Sequence, residues 1–322
     1  MDSATHAVMN FVSECLDAGE PCWLITVVTT WGSAPRLPGA SLAWNASRGS
    51  CGSLSGGCIE EDLLNKLADN HFAGREQPFF EIYGVSAEDA AHWGLPCGGR
   101  LELLLEYLPA TASRQQHFRQ LCSALQNREG LSRKIDLNRS FTDAGCVTLE
   151  PARPHPLVHS KAGVSYYLGP RYRLVIIGAN QVAQYLAEFS KTLDFDVWIC
   201  DPREQAFDHW PLAFTENIRQ LPDDLIREKA CDPHTAIVAV AHDPRIDDMA
   251  LMEALTRECF YVGAMGSKRS TEARLGRLRE LGLSPAQLDR LIAPVGLDIG
   301  SKTPQEIAMA IAADLIRAIR RG

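Results

Sequence analysis

Two of the ten cysteines are set apart by the glycines around them. Cys58 follows Gly56-Gly57 and opens a stretch that carries Ile59, Leu63, Leu64 and Leu67 at helical spacing, while Cys97 precedes Gly98-Gly99. A thiol at a helix N-terminus has its thiolate favoured by the helix dipole, which suits a soft metal ligand or a nucleophile. Glu60, Glu61 and Asp62 in the same first turn act in the opposite sense. Taken singly, either cysteine also fits a small buried hydrophobe. Arg36 is one of five cations in the first 110 residues and sits between Pro35 and Pro38 beside Gly39. A guanidinium fixed among unpaired backbone amides suits a planar anionic or oxo-rich ligand, and an ordinary surface turn accounts for it equally well.

A second set of residues has the spacing of a dinucleotide site. Gly178-Ala-Asn-Gln-Val-Ala183 lies where a Gly-x-Gly-x-x-Gly turn belongs, and Asp201 ends the next apolar run 23 residues after Gly178. Gly178 and Ala183 meet the needs of the tight turn and of close helix-to-strand packing, but Asn180 replaces the glycine that lets a pyrophosphate approach. A Rossmann-like fold is expected and NAD is not expected as its ligand, because the fold does not fix the function. His242-Asp243 and Gly263-Ala-Met-Gly-Ser-Lys-Arg269 follow two further apolar runs. Ser267 and Lys268 there suit an anion nest or a plain capped helix.

The elements that must hold these residues can be read from periodicity. Val8, Phe11, Val12, Cys15 and Leu16 mark an amphipathic helix over 4–18, closed by Gly19, and Trp23–Thr30 is a β-branched strand. Short strands are expected at Ser41–Trp44, Phe79–Tyr83 and Leu101–Leu108, separated by glycine-rich loops at 31–39, 51–58 and 94–99. Residues 111–170 read as a connector with a helix over 112–127, two or three strands and an exposed turn at Pro151–Pro156, with no assignable chemistry. From Tyr172 onward, the runs Leu174–Ile177, Asp196–Cys200, Ala236–Val240 and Cys259–Val262 alternate with helical spacing, as in right-handed βαβ units. Thr303-Pro-Gln-Glu306 is a capping-box start for a last helix. The fold class is therefore α/β: an N-terminal α+β glycine-loop domain over 1–110, a connector over 111–170 and a doubly wound parallel sheet over 171–322.

Composition narrows the functional classes. The chain has 322 residues, 46% hydrophobic and 22% charged, and a net charge of −8, divided as −9 over 1–110, +4 over 111–170 and −3 over 171–322. Nucleic-acid binding is not expected, because the glycine-rich third lacks clustered Lys and Arg. No apolar run approaches the roughly 18 residues of a membrane span, and no basic segment precedes one at the N-terminus, so a cytoplasmic protein is expected. The cysteines include no Cys-x-x-Cys pair, which favours free thiols over a disulfide framework or a structural zinc site.

Taken in order, Gly32–Ala40, Gly52–Glu60, Cys97–Gly99, Gly263–Arg269, Ala293–Gly300 and Thr303–Glu306 resemble the XdhC/CoxI family over nearly the whole chain except the connector. The family's Gly-Gly-Cys-x-Glu motif falls on Gly56, Gly57, Cys58, Ile59 and Glu60, and its Pro-Arg motif on Pro35 and Arg36. The resemblance implies a chaperone that binds the molybdenum cofactor (molybdopterin), protects it during sulfuration by a cysteine desulfurase, and inserts it into an apo molybdenum hydroxylase such as xanthine dehydrogenase or aldehyde oxidoreductase. Two departures, Asn180-Gln181 for the usual Gly-His and Ser41-Leu42 for Arg-Met, are compatible with a subgroup whose cofactor carries a cytosine dinucleotide. On this reading Arg36 holds the anionic end, Cys58 approaches molybdenum, Gly56, Gly57, Glu60, Cys97 and Gly98 line the same site, and the C-terminal sheet takes the nucleotide tail or docks the partner enzyme. The protein is then a carrier without turnover, and a homodimer is the default assembly. The alternative is an NAD(P)-dependent oxidoreductase built on Gly178 to Asp201.

Overall fold

The computed structural model describes residues 2–31, 36–84, 100–229 and 231–321, without the side chains of Trp31 and Cys58. Cys97 and Gly98 lie outside the described residues. The chain divides into two units, Met1–Pro170 and Arg171–Gly322.

In the first unit, helix α1 (Ser3–Asp17) leads into β1 (Cys22–Trp31), β2 (Ser41–Asn45), β3 (Gly49–Gly52), α2 (Cys58–Ala68), β4 (Phe79–Tyr83) and β5 (Arg100–Leu108). The five strands form an antiparallel sheet of order β3-β2-β1-β5-β4. Helix α3 (Ala112–Gln126) follows, then β6 (Leu131–Asp136), β7 (Val147–Pro151), β8 (Val158–His159) and β9 (Gly163–Leu168), in a second sheet of order β7-β6-β9-β8. Side chains alternate across the first sheet, so Ile25, Val27, Leu103 and Leu105 pack on Ile59, Leu63 and Leu67 of α2. Leu24, Val28 and Leu104 of the opposite face share one core with α1, α3 and the second sheet.

Residues 111–170 are thus bound into the first unit rather than strung beside it. Buried Arg133 of β6 makes a bidentate pair with Glu106 of β5 at 2.7 and 2.9 Å and donates to the Tyr166 hydroxyl at 2.8 Å. Burial, with the charges of Arg133 and Arg114, pushes the neighbouring His117 down to about 2, so that ring is neutral.

The second unit contains β10 (Arg173–Ile177), α4 (Gln181–Thr192), β11 (Asp196–Cys200), β12 (Glu216–Ile218), α5 (Pro222–Glu228), β13 (Thr235–Ala239) and α6 (Pro244–Leu255). It ends with β14 (Tyr261–Ala264), α7 (Lys268–Glu280), α8 (Pro285–Leu288), β15 (Leu291–Ile292) and α9 (Pro304–Arg321). Its six strands are parallel in the order β12-β11-β10-β13-β14-β15. Val182 and Leu186 of α4 and Ile311 and Leu315 of α9 cover one face, and Leu251, Leu255 and Leu278 cover the other. This is the doubly wound sheet expected, with its topological switch between β10 and β13. The capping box of α9 is formed, with the Glu306 carboxylate accepting from the Lys302 and Thr303 amides at 2.8 and 2.9 Å.

Three expectations are corrected. The 51–58 loop begins inside a strand, because Gly49–Gly52 pairs with β2 despite its low β-propensity. The strand expected at Cys259–Val262 lies at Tyr261–Ala264. Cys259 instead forms a disulfide with Cys231, which contradicts the reading of all thiols as free. The turns entering the parallel neighbours β13 and β14 bring these two cysteines together, with Cα atoms 5.6 Å apart across 28 residues of sequence. No helix among the described residues is long and apolar enough to cross a membrane.

Candidate functional site

The antiparallel order of the first sheet sends its glycine-rich connections to one end. β1 climbs to Trp31 while β2 descends from Ser41, β3 ends at Gly52, and β4 ends at Tyr83 opposite Leu101 near the start of β5. Residues 36–40, the turn 53–57, and both flanks of 85–99 therefore share that end. The first two are also tied directly, since the Ser53 amide donates to the Ser41 carbonyl at 3.2 Å. Gly52 has φ +94°, and a Cβ there would strike the Ser41 carbonyl and the Val8 side chain. Only glycine fits this approach.

Arg36 is exposed at this end, close enough for its charge to act on Asp2, the N-cap of α1. The expectation that it lies among unpaired amides is corrected in part. Gly39 donates to the Val27 carbonyl at 2.8 Å and Ala40 to the Leu37 carbonyl at 3.1 Å.

The Gly52–Gly57 turn has an internal anion. The Glu60 Oε2 accepts from the Ser53 hydroxyl at 2.9 Å and from the amides of Leu54 at 2.8 Å and of Ser55 and Gly56 at 3.3 Å each. Burial raises the Glu60 pKa, but these donors together outweigh it and hold the carboxyl below its ordinary value. The motif points Glu60 to an external ligand; its placement makes it the clasp of the turn that delivers Cys58. Gly56, at φ +70°, and Gly57, the extended N-cap, carry the chain into α2, whose first residue is Cys58. Nothing in the sequence signals this clasp beyond a glutamate three residues into a helix that follows a glycine run.

In the second unit the strand ends gather as the sheet topology requires. Gly178 has φ +102°, and an added Cβ would lie 2.5 Å from the Ala241 Cα. Its glycine is demanded by a neighbouring strand end. Asn180 is engaged at both its oxygen and its nitrogen: it caps α4 by accepting from the Ala183 amide at 3.1 Å and donates to the Val240 carbonyl at 2.7 Å. Asp201 is 0% exposed. One of its oxygens accepts from the Ala179 amide at 2.8 Å, and Arg203 grips the carboxylate at 2.5 and 2.9 Å. Burial raises the Asp201 pKa, yet Arg203 and the Ala179 amide hold it below the ordinary value. A residue that would meet a ribose hydroxyl thus faces inward to its own turn.

Ser267 caps α7 by accepting from the Ser270 amide at 3.1 Å, and Lys268, the first residue of that helix, is exposed. A network unseen in the sequence ties this loop to the Ala241 turn. Arg274 donates to the Met265 carbonyl at 3.0 Å and pairs with Asp247 and Asp248 at 3.2 and 3.0 Å, while Asp247 accepts from the Ala241 amide at 3.1 Å. Burial pushes the Asp247 carboxyl up to about 6, even though Arg274 pulls the other way. Among the described residues no cluster of three or more His, Cys, Asp or Glu side chains can hold a metal ion.

Residues 15–83 match the pattern described as the XdhC and CoxI family, and residues 174–315 that of the XdhC Rossmann domain. A Bacillus subtilis (strain 168) protein named as a probable subunit of xanthine dehydrogenase is 26% identical over 327 residues, spanning 95% of this chain and 96% of that one. The molybdenum cofactor insertion chaperone PaoD of Escherichia coli (strain K12) is 25% identical over 318 residues, spanning 96% of this chain and 87% of its own. A crystal structure described as a xanthine dehydrogenase from Bacillus halodurans superposes with a TM-score of 0.71 at 26% identity, covering 98% of this chain and 96% of that chain. With the two family patterns found in order, one on the glycine-loop sheet and one on the parallel sheet, this chain belongs to the XdhC/CoxI family.

Proposed function

We propose that the chain carries the molybdenum cofactor as cargo, shields it while a terminal sulfido ligand is installed, and inserts it into an apo molybdenum hydroxylase of the xanthine dehydrogenase or aldehyde oxidoreductase type. The observation that carries this reading is the gathering of Arg36, the Gly52–Gly57 turn with Cys58 after it, and both flanks of 85–99 at one end of one sheet. The names of two relatives, one referring to xanthine dehydrogenase and the other to cofactor insertion, support the same chemistry.

The cargo is a pterin dithiolene with a phosphate or nucleotide tail. Arg36 suits the phosphate or an oxo group, and the Cys58 thiol suits molybdenum as a soft ligand. Gly56 and Gly57 allow the backbone to come close, with Glu60 holding their turn, and Cys97 and Gly98, outside the described residues, are assigned to the same cargo. In the parallel-sheet unit, Ser267, Lys268 and the turn at Gly178 are assigned to a nucleotide tail, in the cytosine dinucleotide form, with Asn180 and Asp201 holding that turn rather than meeting the ligand. A cysteine desulfurase supplies the sulfur, the hydroxylase receives the product, and the carrier acts as a homodimer in the cytoplasm with no turnover of its own. The oxidoreductase alternative is disfavoured because Asp201 is inside the protein and neutralised by Arg203.

The test is anaerobic reconstitution of a cofactor-free hydroxylase. Added protein is expected to raise the recovered activity above that given by cofactor alone, and Arg36→Ala is expected to remove most of the gain. No gain from the intact protein rejects the proposal.

A further inference from the structure

The stretch 111–170, which carries no chemistry legible in its sequence, brings three polar side chains, His159, Ser160 and Lys161, to the β4 edge of the first sheet. A cleft of about 550 Å³ lies between edge strand β4 and the β8–β9 hairpin, lined by Phe80, Glu102, Leu137, His159, Ser160 and Lys161 among others. Its size falls in the range of small-molecule sites, roughly 300–1,000 Å³. Glu102 is the third residue of β5 and pairs with Thr29 of β1, while Pro78, Phe79 and Phe80 line the cleft from the start of β4, so the cleft runs along the β4 edge of the first sheet with Glu102 toward the end that carries the glycine-rich connections. His159 is fixed there by a 3.1 Å hydrogen bond with the Thr29 hydroxyl and an edge contact with Phe80 at 6.0 Å between ring centroids.

We infer that this cleft binds a fused bicyclic 2-amino-4-oxopyrimidine, the ring system shared by pterin and guanine, with Glu102 reading its donor edge. The Glu102 carboxylate is half-buried and makes no hydrogen bond or ion pair among the described residues. An ionised carboxylate only accepts, through two oxygens side by side. It therefore matches an amino group next to a ring N–H, in the manner of a bidentate guanidinium pair. Adenine and cytosine place a ring nitrogen lone pair beside their amino group, and that lone pair would face the carboxylate. Lys161, which has no acceptor of its own among the described residues, supplies a donor for the keto oxygen. Phe80 and His159 offer the planar surfaces against which a fused ring packs.

The inference rests on the cofactor-carrier reading in one respect: it assigns the cleft to the pterin end of the cargo and leaves the cytosine end elsewhere. Titration of the full-length protein with free pterin, guanosine and adenosine, followed by ligand fluorescence or calorimetry, tests it apart from any molybdenum. Pterin should bind at least tenfold more tightly than adenosine, and Glu102→Gln should weaken pterin by about 10- to 100-fold, as expected for loss of a charge-assisted pair. Lys161→Gln, at an exposed hairpin tip, should weaken it by a smaller factor and serves as a second variant if Glu102→Gln unfolds. Guanosine binding more tightly than pterin would identify a guanine nucleotide as the ligand of the same chemistry. Pterin binding no better than adenosine, or unaltered in both variants, overturns the inference. Molybdopterin that copurifies equally with wild type and Glu102→Gln would overturn it while leaving the carrier reading intact.

Discussion

Glu60→Gln keeps the shape of the clasp and removes its charge, and the consequence can be worked out from four distances. Two donors, the Leu54 amide at 2.8 Å and the Ser53 hydroxyl at 2.9 Å, are short, while the Ser55 and Gly56 amides at 3.3 Å are near the limit of a hydrogen bond. Hydrogen bonds to a charged group are worth about 1.5–3 kcal/mol each, and partial exposure reduces that. Losing the charge should therefore ease local opening of the turn by about 2 kcal/mol, which corresponds to roughly 30-fold faster exchange. Amide hydrogen exchange at Leu54, Ser55 and Gly56 is the direct assay. Because the donors hold the folded pKa below the ordinary 4.5, the stabilisation is complete above that pH and fades as the pH falls through the folded value. The difference between wild type and Glu60→Gln should accordingly shrink in acid. Exchange at Leu54 unchanged by the substitution at pH 7, or a difference that grows in acid, would refute the clasp.

Three other substitutions probe the frames that hold the two loop clusters. Gly178→Ala should destabilise the second unit by about 3 kcal/mol or more in urea unfolding, because the new methyl must displace the Ala241 backbone at a φ that alanine avoids. Glu106→Gln should cost the first unit about 3–5 kcal/mol, since it leaves buried Arg133 without its counter-charge; a change under about 1 kcal/mol would mean that the pair contributes little. Reduction of Cys231–Cys259, or Cys231→Ser, should lower the stability of the second unit by about 3–4 kcal/mol for a loop of this length, read as a drop in Tm in reductant that the serine variant no longer shows.

Much of the architecture is legible because local preference and final structure agree. Val8, Val12, Cys15 and Leu16 fall on one face of α1 and are all buried. The strands Phe79–Tyr83 and Asp196–Cys200 lie where their apolar runs place them. The failures mark places where distant chain decides. Gly49–Gly52 becomes a strand only because β2 offers its edge, and the disulfide joins residues whose spacing matches no motif. The stretch 111–170 hides its role because its bonds to the first sheet run through Arg133 and Glu106, 27 residues apart.

The site is legible by position more than by contact. Glycine loops announce where backbone approaches closely, and their convergence follows from an antiparallel order that no single loop reveals. What each charged residue touches cannot be read in advance. Glu60 and Asp201, both expected to face a ligand, turn back on their own loops, and Asn180, expected to obstruct one, is a cap that joins two strand ends. Glu102 and Lys161 draw no attention in the sequence because β5 and the β8–β9 hairpin supply them from opposite sides of a cleft formed only on folding.

Whether the chain carries the cofactor is read most directly from the molybdopterin content of the protein purified anaerobically from cells that make the cofactor, measured by mass spectrometry together with molybdenum. Near-stoichiometric molybdopterin is expected on the wild-type protein, with a strong loss in Arg36→Ala. Purified protein free of molybdopterin while the cells hold a normal cofactor pool would contradict it.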